Sequence, residues 1–148
     1  MKRTIFAGLA AATLAAPAMA ETETMQATGS VEEVMDRLEA AVTEAGATVF
    51  ARVDHGAGAE QAGMTLADSQ LLIFGNPQLG TPVMQEDPLA GLYLPLKILA
   101  YDDGSGQVFV AYEEPEETFD DLKVDDDLEA IEKMEDALEK FAKAAAGA

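Results

Sequence analysis

Cysteine and tryptophan are absent from this chain, and histidine occurs once, at His55. Without cysteine there can be no disulfide, no thiolate nucleophile, no thioether haem link and no thiolate-held iron–sulfur cluster. One histidine cannot make an ordinary zinc site unless several carboxylates join it. Cations are scarce: nine Lys and Arg stand against 28 Asp and Glu, a formal net charge of −19 in 148 residues. Nucleic acids and anionic membrane surfaces are recognised by clustered cations, so the balance argues against both as partners. It suits a cationic partner or metal ions, or a salty medium and general solubility. Beyond the first predicted helix only Ser69 and Ser105 remain, neither in a Gly-x-Ser-x-Gly elbow, which argues against serine hydrolysis. The longest apolar run in the body of the chain, Leu92–Ala100, is broken by Pro95 and Lys97 and is too short to span a bilayer.

The first twenty residues read differently from the rest. Lys2 and Arg3 precede an apolar, alanine-rich run from Thr4 to Ala16, and Ala18-Met19-Ala20 is a small-x-small cleavage signal. This is the pattern of a bacterial secretory signal peptide. Cleavage after Ala20 is expected to leave residues 21–148 as a single soluble domain in the periplasm. Seven cations would then face 28 acids, a net −21.

Along the body, alternation from Glu21 to Thr28 predicts a first strand. Ser30 and Glu33 have capping-box spacing, and Val31, Val34, Leu38, Ala41, Val42 and Ala45 recur at helical spacing up to Gly46. Ala47–Val53 is a predicted strand, Ala57–Met64 a short helix, and Gln70–Phe74 a buried strand closed by Gly75-Asn76-Pro77. The next segment holds Pro77, Pro82 and Pro88 with Gly75, Gly80 and Gly91, yet keeps Leu79, Val83, Met84 and Leu89. It reads as an ordered loop with its own short helix. Tyr93–Tyr101 and Gln107–Tyr112 form a hairpin around Asp102–Gly106. Residues 113–127 carry nine acids against Lys123 alone, with Phe119, Leu122 and Val124 available to pin them. A last helix, about 127–146, should start at Asp126 or Asp127 and bury Leu128, Ile131, Met134, Leu138, Phe141 and Ala145. The fold class expected is α+β: a two-layer sandwich with a mostly antiparallel sheet of about five strands and two long helices.

The stretches VFARVDHGAGAEQAGMTL and LLIFGNPQLGTPVMQEDPLAGLYLPLKILAYDDGSGQVFVAY, with the helix before them, closely resemble the bacterial domain of unknown function 302 family. The resemblance covers about residues 30–115 and rests on Asp54-His55 and on the Phe74–Pro77 and Gly80–Pro82 segments. It implies a compact α+β domain and a homodimer, and it implies no activity. Many members have an acid before the Leu-Pro-Leu-Lys run, where this chain has Tyr93; a site built on that acid would lack it here. Many also have a less acidic stretch where this chain has residues 113–127.

Several residues could carry chemistry. Asp54 could orient His55 as a general base or metal ligand; alternatively Asp54 caps the next helix and His55 donates to a loop carbonyl. His55 with Met64 or Met84 could make a soft copper site or serve haem, or the methionines could be core filler. Asp125–Asp127 lack calcium-loop spacing and suit helix capping. The Gly75–Pro82 segment lacks the Walker lysine and reads better as a rigid rim. There Asn76 and Thr81 would be polar fixtures beside Phe74, Val83, Met84 and Leu89, around a small apolar pocket, or the loop simply packs on the sheet. Lys97, inside an apolar strand, could pair with an acid, sit at a pocket or dimer edge, or face solvent. The function expected is a non-enzymatic module binding a small molecule or a protein through His55, Asn76, Thr81, Met84, Tyr93 and Lys97. The alternatives are an acid/base or metal-dependent enzyme using Asp54 and His55, and a structural dimerisation module. The cofactor, if any, is left unknown by these residues.

Overall fold

The computed structural model describes residues 21–125 and 127–147, so the expected signal peptide lies outside the described residues. Five strands, β1 (Thr22–Ala27), β2 (Thr48–Asp54), β3 (Ser69–Gly75), β4 (Leu96–Asp102) and β5 (Val108–Glu113), form one sheet in the order β1-β5-β4-β3-β2. Every neighbouring pair is antiparallel. Two long helices, α1 (Val31–Glu44) and α5 (Glu129–Ala146), pack on it. The α+β sandwich expected from the periodicity is the observed architecture.

Helix α1 begins with the predicted capping box. Ser30 Oγ accepts from the Glu33 N–H and Glu33 Oε2 accepts from the Ser30 N–H, at 3.2 and 2.8 Å. Its stripe of Val31, Val34, Met35, Leu38 and Val42 is buried, and Gly46 at φ +79° takes the left-handed turn that follows. The stripe meets Leu72 and Phe74 of β3, Ile98 and Ala100 of β4, and Val110 of β5, with Leu138 and Phe141 of α5 closing the core. Phe74 and Phe141 contact edge to face, centroids 5.6 Å apart. Each such fully buried Leu or Phe contributes about 2 kcal/mol of transfer free energy.

One arginine ties the layers together. Arg37 of α1 donates through Nε to the Ala145 carbonyl at 2.9 Å and through Nη2 to the Thr28 carbonyl at 2.6 Å. Thr28 in turn donates to the Ala146 carbonyl from its backbone N–H. The carbonyls that α5 leaves unpaired at its C-terminus are thus satisfied by α1 and the β1–α1 turn.

Four elements differ from expectation. The Pro-rich segment is more helical than a loop with a short helix: α3 (Pro77–Glu86) runs through Pro82 and is followed by a 3-10 turn, Pro88–Leu92. Asn76 caps α3 by accepting from the Gln78 N–H at 2.9 Å, and Pro77 occupies the first turn, where its missing N–H costs nothing. Strand β4 starts at Leu96 rather than Tyr93, because the N–H groups of Tyr93 and Leu94 both bond the Ala90 carbonyl and complete the 3-10 turn. Helix α2 spans His55–Gln61 rather than Ala57–Met64, because Asp54 Oδ1 caps it at the Ala57 N–H, 2.8 Å away. Helix α5 starts at Glu129 with Leu128 at its N-cap, so Asp127 does not cap it. Asp126 lies outside the described residues.

The acidic segment contains a further short helix, α4 (Pro115–Phe119). Phe119 is buried, and Leu122, Val124 and Leu128 pack with it on Val83, Ala90, Ile131 and Met134 in a second apolar cluster. Carboxylates at the end of α3 complete the tie: Asp87 Oδ2 accepts from the Lys123 N–H and Glu86 Oε2 from the Asp125 N–H. Backbone donors from Leu89 and Lys123 hold the Asp87 carboxyl below its ordinary range.

Candidate functional site

Helix α3 arches over one end of the sheet and leaves a cavity of about 280 Å³ beneath it. Its walls come from six elements, with Gly75 at the end of β3 among them. Asn76, Leu79, Gly80, Thr81 and Met84 belong to α3 and its cap, Leu94 and Pro95 to the link that follows the 3-10 turn, and Leu96 to β4. Phe50 of β2 and Met134 of α5 close the sides. None of the lining side chains is charged, and only Asn76 and Thr81 offer side-chain hydrogen-bonding groups. Asn76 uses Oδ1 for the cap, which leaves its amide nitrogen as the donor it can offer a guest. A surface of this composition would suit a neutral apolar guest and would penalise an ion.

Of the residues singled out from the sequence, Asn76, Thr81 and Met84 meet at this cavity. Tyr93 and Lys97 do not. They line a separate small cleft with Glu113, Phe119 and Leu138, where Lys97 Nζ donates to the Tyr93 carbonyl at 3.1 Å. Tyr93 contacts Phe119 edge to face. His55 is brought to neither place. Asp54 pairs with Gln70 at one end of the β2–β3 ladder and Thr48 pairs with Gly75 at the other. Seven strand residues therefore put His55 about 20 Å from the cavity end. A single site shared by His55 and the Pro-rich segment is not what the fold builds. His55 is exposed at the start of α2, and Asp54 is occupied by the Ala57 N–H and, at 3.4 Å, by the Gln70 amide. Met64, 65 % exposed, lies at a wide polar cleft near Asp54, while Met84, 37 % exposed, edges the apolar cavity. Neither methionine is core filler. Among the described residues, no group of three or more His, Asp or Glu is placed to hold a metal ion.

Phe50 and Met134 were not legible as cavity residues. Strict alternation puts Phe50 beside Thr48 and Arg52, but a bulge between Val49 and Ala51 breaks the register and leaves Phe50 57 % exposed at the cavity wall. Met134 reads as one more position on the apolar stripe of α5, and nothing in helical spacing separates a core position from a cavity wall.

A second concentration of titratable groups lies where β1, β5 and α5 meet: Glu23, Tyr112, Glu114, Glu135, Asp136 and Glu139 surround an open cleft. Burial and then the neighbouring acid Glu135 raise the carboxyl of Glu114. Burial, with repulsion from Glu116, Asp136 and Glu132, raises that of Glu135. The Tyr112 phenol is pushed up to about 12, chiefly by burial and then by Glu114, Glu23 and Glu139.

The fold is shared with a solved structure, the crystal structure of an uncharacterized conserved DUF302 protein from Bacillus stearothermophilus. It matches at a TM-score of 0.75 with 21% identity over 84% of this chain and 97% of that one. The chain belongs to the family described as domain of unknown function DUF302, whose sequence profile matches residues 11–146. That match extends beyond residues 30–115 to take in the acidic segment and the last helix. The chain is also 47% identical over 92 residues to proteins named fluoride-specific ion channel FluC 1 in Brucella suis biovar 1 and in Brucella abortus biovar 1. The matched stretch is 62% of this chain but 36% and 34% of those proteins. The chain thus spans about a third of the length of these curated relatives. Among its described residues no helix is long and apolar enough to cross a membrane.

Proposed function

We propose that this is an exported, non-enzymatic binding domain that takes a small, uncharged, largely apolar molecule into the cavity under α3. The observation that carries the reading is the cavity itself: about 280 Å³, walled by apolar side chains, with Asn76 and Thr81 at its rim. A dry cavity of ~150 Å³ accommodates benzene, so the guest would have on the order of ten to fifteen non-hydrogen atoms. Export follows from the first twenty residues and would place the domain in the periplasm. The test is titration with a neutral naphthylamine probe, whose emission rises in apolar surroundings; the chain has no tryptophan to interfere. Saturable one-to-one binding is expected. Met84→Lys, which brings a charge to a partly exposed wall, should abolish it, and His55→Ala should leave it intact. Loss in His55→Ala with retention in Met84→Lys would move the site to the other end of the sheet.

A second reading is favoured by the Brucella relatives, in which a stretch like this one forms about a third of a longer chain named as a fluoride channel. In that reading the domain is an extramembranous accessory to a channel of that kind, acting through a protein partner. Deleting the gene should then make cells more sensitive to fluoride, and restoring it should reverse the effect. Unchanged sensitivity would remove the reading.

A further inference from the structure

We propose that the open cleft where β1, β5 and α5 meet is a second binding site, which takes a linear aliphatic polyamine between the Tyr112 side chain and a fence of carboxylates. It shares no lining residue with the cavity under α3 and stands independently of that site. Its volume, about 390 Å³, falls in the range of small-molecule sites. Strand register sets the floor. Tyr112 of β5 shares the helix-covered face of the sheet with Val108 and Val110, and Glu23 of β1 lies directly across the ladder from it. Glu114 follows two residues on. Glu135 and Glu139, one turn apart on α5, line the opposite wall with Asp136. Sheet and helix thus gather five carboxylates from segments far apart in the sequence.

The tyrosine distinguishes this cleft from a merely acidic surface. Tyr112 is only 6 % exposed, yet its phenol has no hydrogen-bond partner among the described residues. Buried phenols ordinarily find one. No side-chain oxygen sealed from solvent is left unpaired among the described residues, so the phenol oxygen opens onto the cleft. The acids that bear on it, Glu114, Glu23 and Glu139, are all cleft residues. A protonated phenol keeps lone pairs that an ammonium N–H can fill, and its ring face attracts a cation. The carboxylates are short of cations too. Among the described residues only Glu139 has a salt-bridge partner, Lys143; the other ion pairs belong to Arg52 and Lys133, outside the cleft. Burial and then Glu135 raise the Glu114 carboxyl, and a cation seated in the cleft relieves that repulsion. The spacing of the acids selects the guest. Among the described residues no three acids converge closely enough to hold one metal ion. Carboxylates spread around a rim instead match ammonium groups held apart by alkyl linkers, whose methylenes cover the tyrosine ring.

The experiment is calorimetric titration of the full chain with spermidine, a linear triamine, in about 0.15 M salt, where diffuse attraction to a net charge of −19 is largely screened. One saturable site per chain is expected. Glu135→Gln combined with Glu139→Gln should weaken binding more than tenfold. Glu32→Gln combined with Glu60→Gln removes the same charge from the separate polar cleft beside Asp54 and should change affinity less than threefold. Tyr112→Phe, which keeps the ring in the core, should weaken binding at least threefold with an unchanged circular dichroism spectrum. Should Tyr112→Phe fail to fold, the two double variants decide, since a carboxamide keeps the shape of each side chain and the acceptor that Glu135 offers the Glu116 N–H. Unsaturable heats overturn the proposal. So does equal weakening in the two double variants, which would mark diffuse attraction to charge, or displacement of spermidine by an equal concentration of magnesium chloride. Saturable binding of an oligolysine peptide in place of spermidine would overturn it as well, and would give the cleft to a protein partner.

Discussion

Gly80 offers a perturbation that separates stability from binding. It sits inside α3, its N–H bonded to the Asn76 carbonyl, and lines the cavity. A Cβ built there meets Leu94 Cδ1 at 3.5 Å and Met84 Cε at 3.8 Å, both ordinary contacts. Gly80→Ala therefore meets no steric obstacle, and it removes the entropic cost of a helical glycine, about 0.5–1 kcal/mol. Burying most of one methyl adds roughly 0.5 kcal/mol. The variant should be more stable by about 1–1.5 kcal/mol, a rise of roughly 4–6 °C in melting temperature for a domain of this size. Urea titration followed by far-ultraviolet circular dichroism measures it, with an unchanged denaturant slope as the check on two-state behaviour. Gly80→Leu extends the same vector into the cavity. It should keep at least wild-type stability while weakening naphthylamine probe binding more than tenfold. A loss of more than about 1 kcal/mol in Gly80→Ala would show that the close approach of α3 to Leu94 requires a bare backbone. Undiminished probe binding in Gly80→Leu would show that the guest sits elsewhere.

Three further outcomes follow from the contacts described. Arg37→Met keeps the apolar stem but removes two hydrogen bonds to carbonyls of Ala145 and Thr28, and should cost about 2–3 kcal/mol in urea titration. Asp54→Ala removes the cap of α2, a helix with no buried residue, so hydrogen exchange should accelerate locally over residues 55–61 while the global melting temperature barely moves. The carboxyls of Glu114 and Glu135 are raised in the fold, so the native state binds their protons more tightly than the unfolded chain does. Stability should accordingly rise as pH falls from neutral through their raised pKa values, until the ordinary value of 4.5 is reached. Below that, the lowered Asp87, Asp103 and Glu129 should reverse the trend as they take up protons. Glu135→Gln should flatten the rise between neutral pH and 4.5 relative to wild type; an identical profile would contradict the assignment.

Much of the fold is written in local pattern. The Ser30–Glu33 capping box, the stripe of α1 and the alternation of β5 depend on neighbours within a few residues, and each appears where it is expected. The departures come from competition between local signals. In residues 76–92, prolines and glycines argue for a loop, but an Asn cap followed by proline is also how a helix begins, and burial of Val83 in the cluster with Met134 decides in favour of helix. Asp54 and His55 are adjacent in sequence, which suggests a pair; the carboxylate instead closes on the Ala57 N–H three residues ahead. Asn76, Thr81 and Met84 were readable as rim residues because they share one segment. Phe50 and Met134 reach the cavity through a bulge and a tertiary contact, and periodicity marks neither as a cavity wall.

The most direct test of the binding reading is native mass spectrometry of the protein taken from its own cells, released without detergent or chelator. The expected spectrum shows the chain carrying a small neutral organic mass, retained in His55→Ala and lost in Gly80→Leu. A spectrum with a metal adduct that disappears in His55→Ala, and no organic mass on wild type, would contradict it.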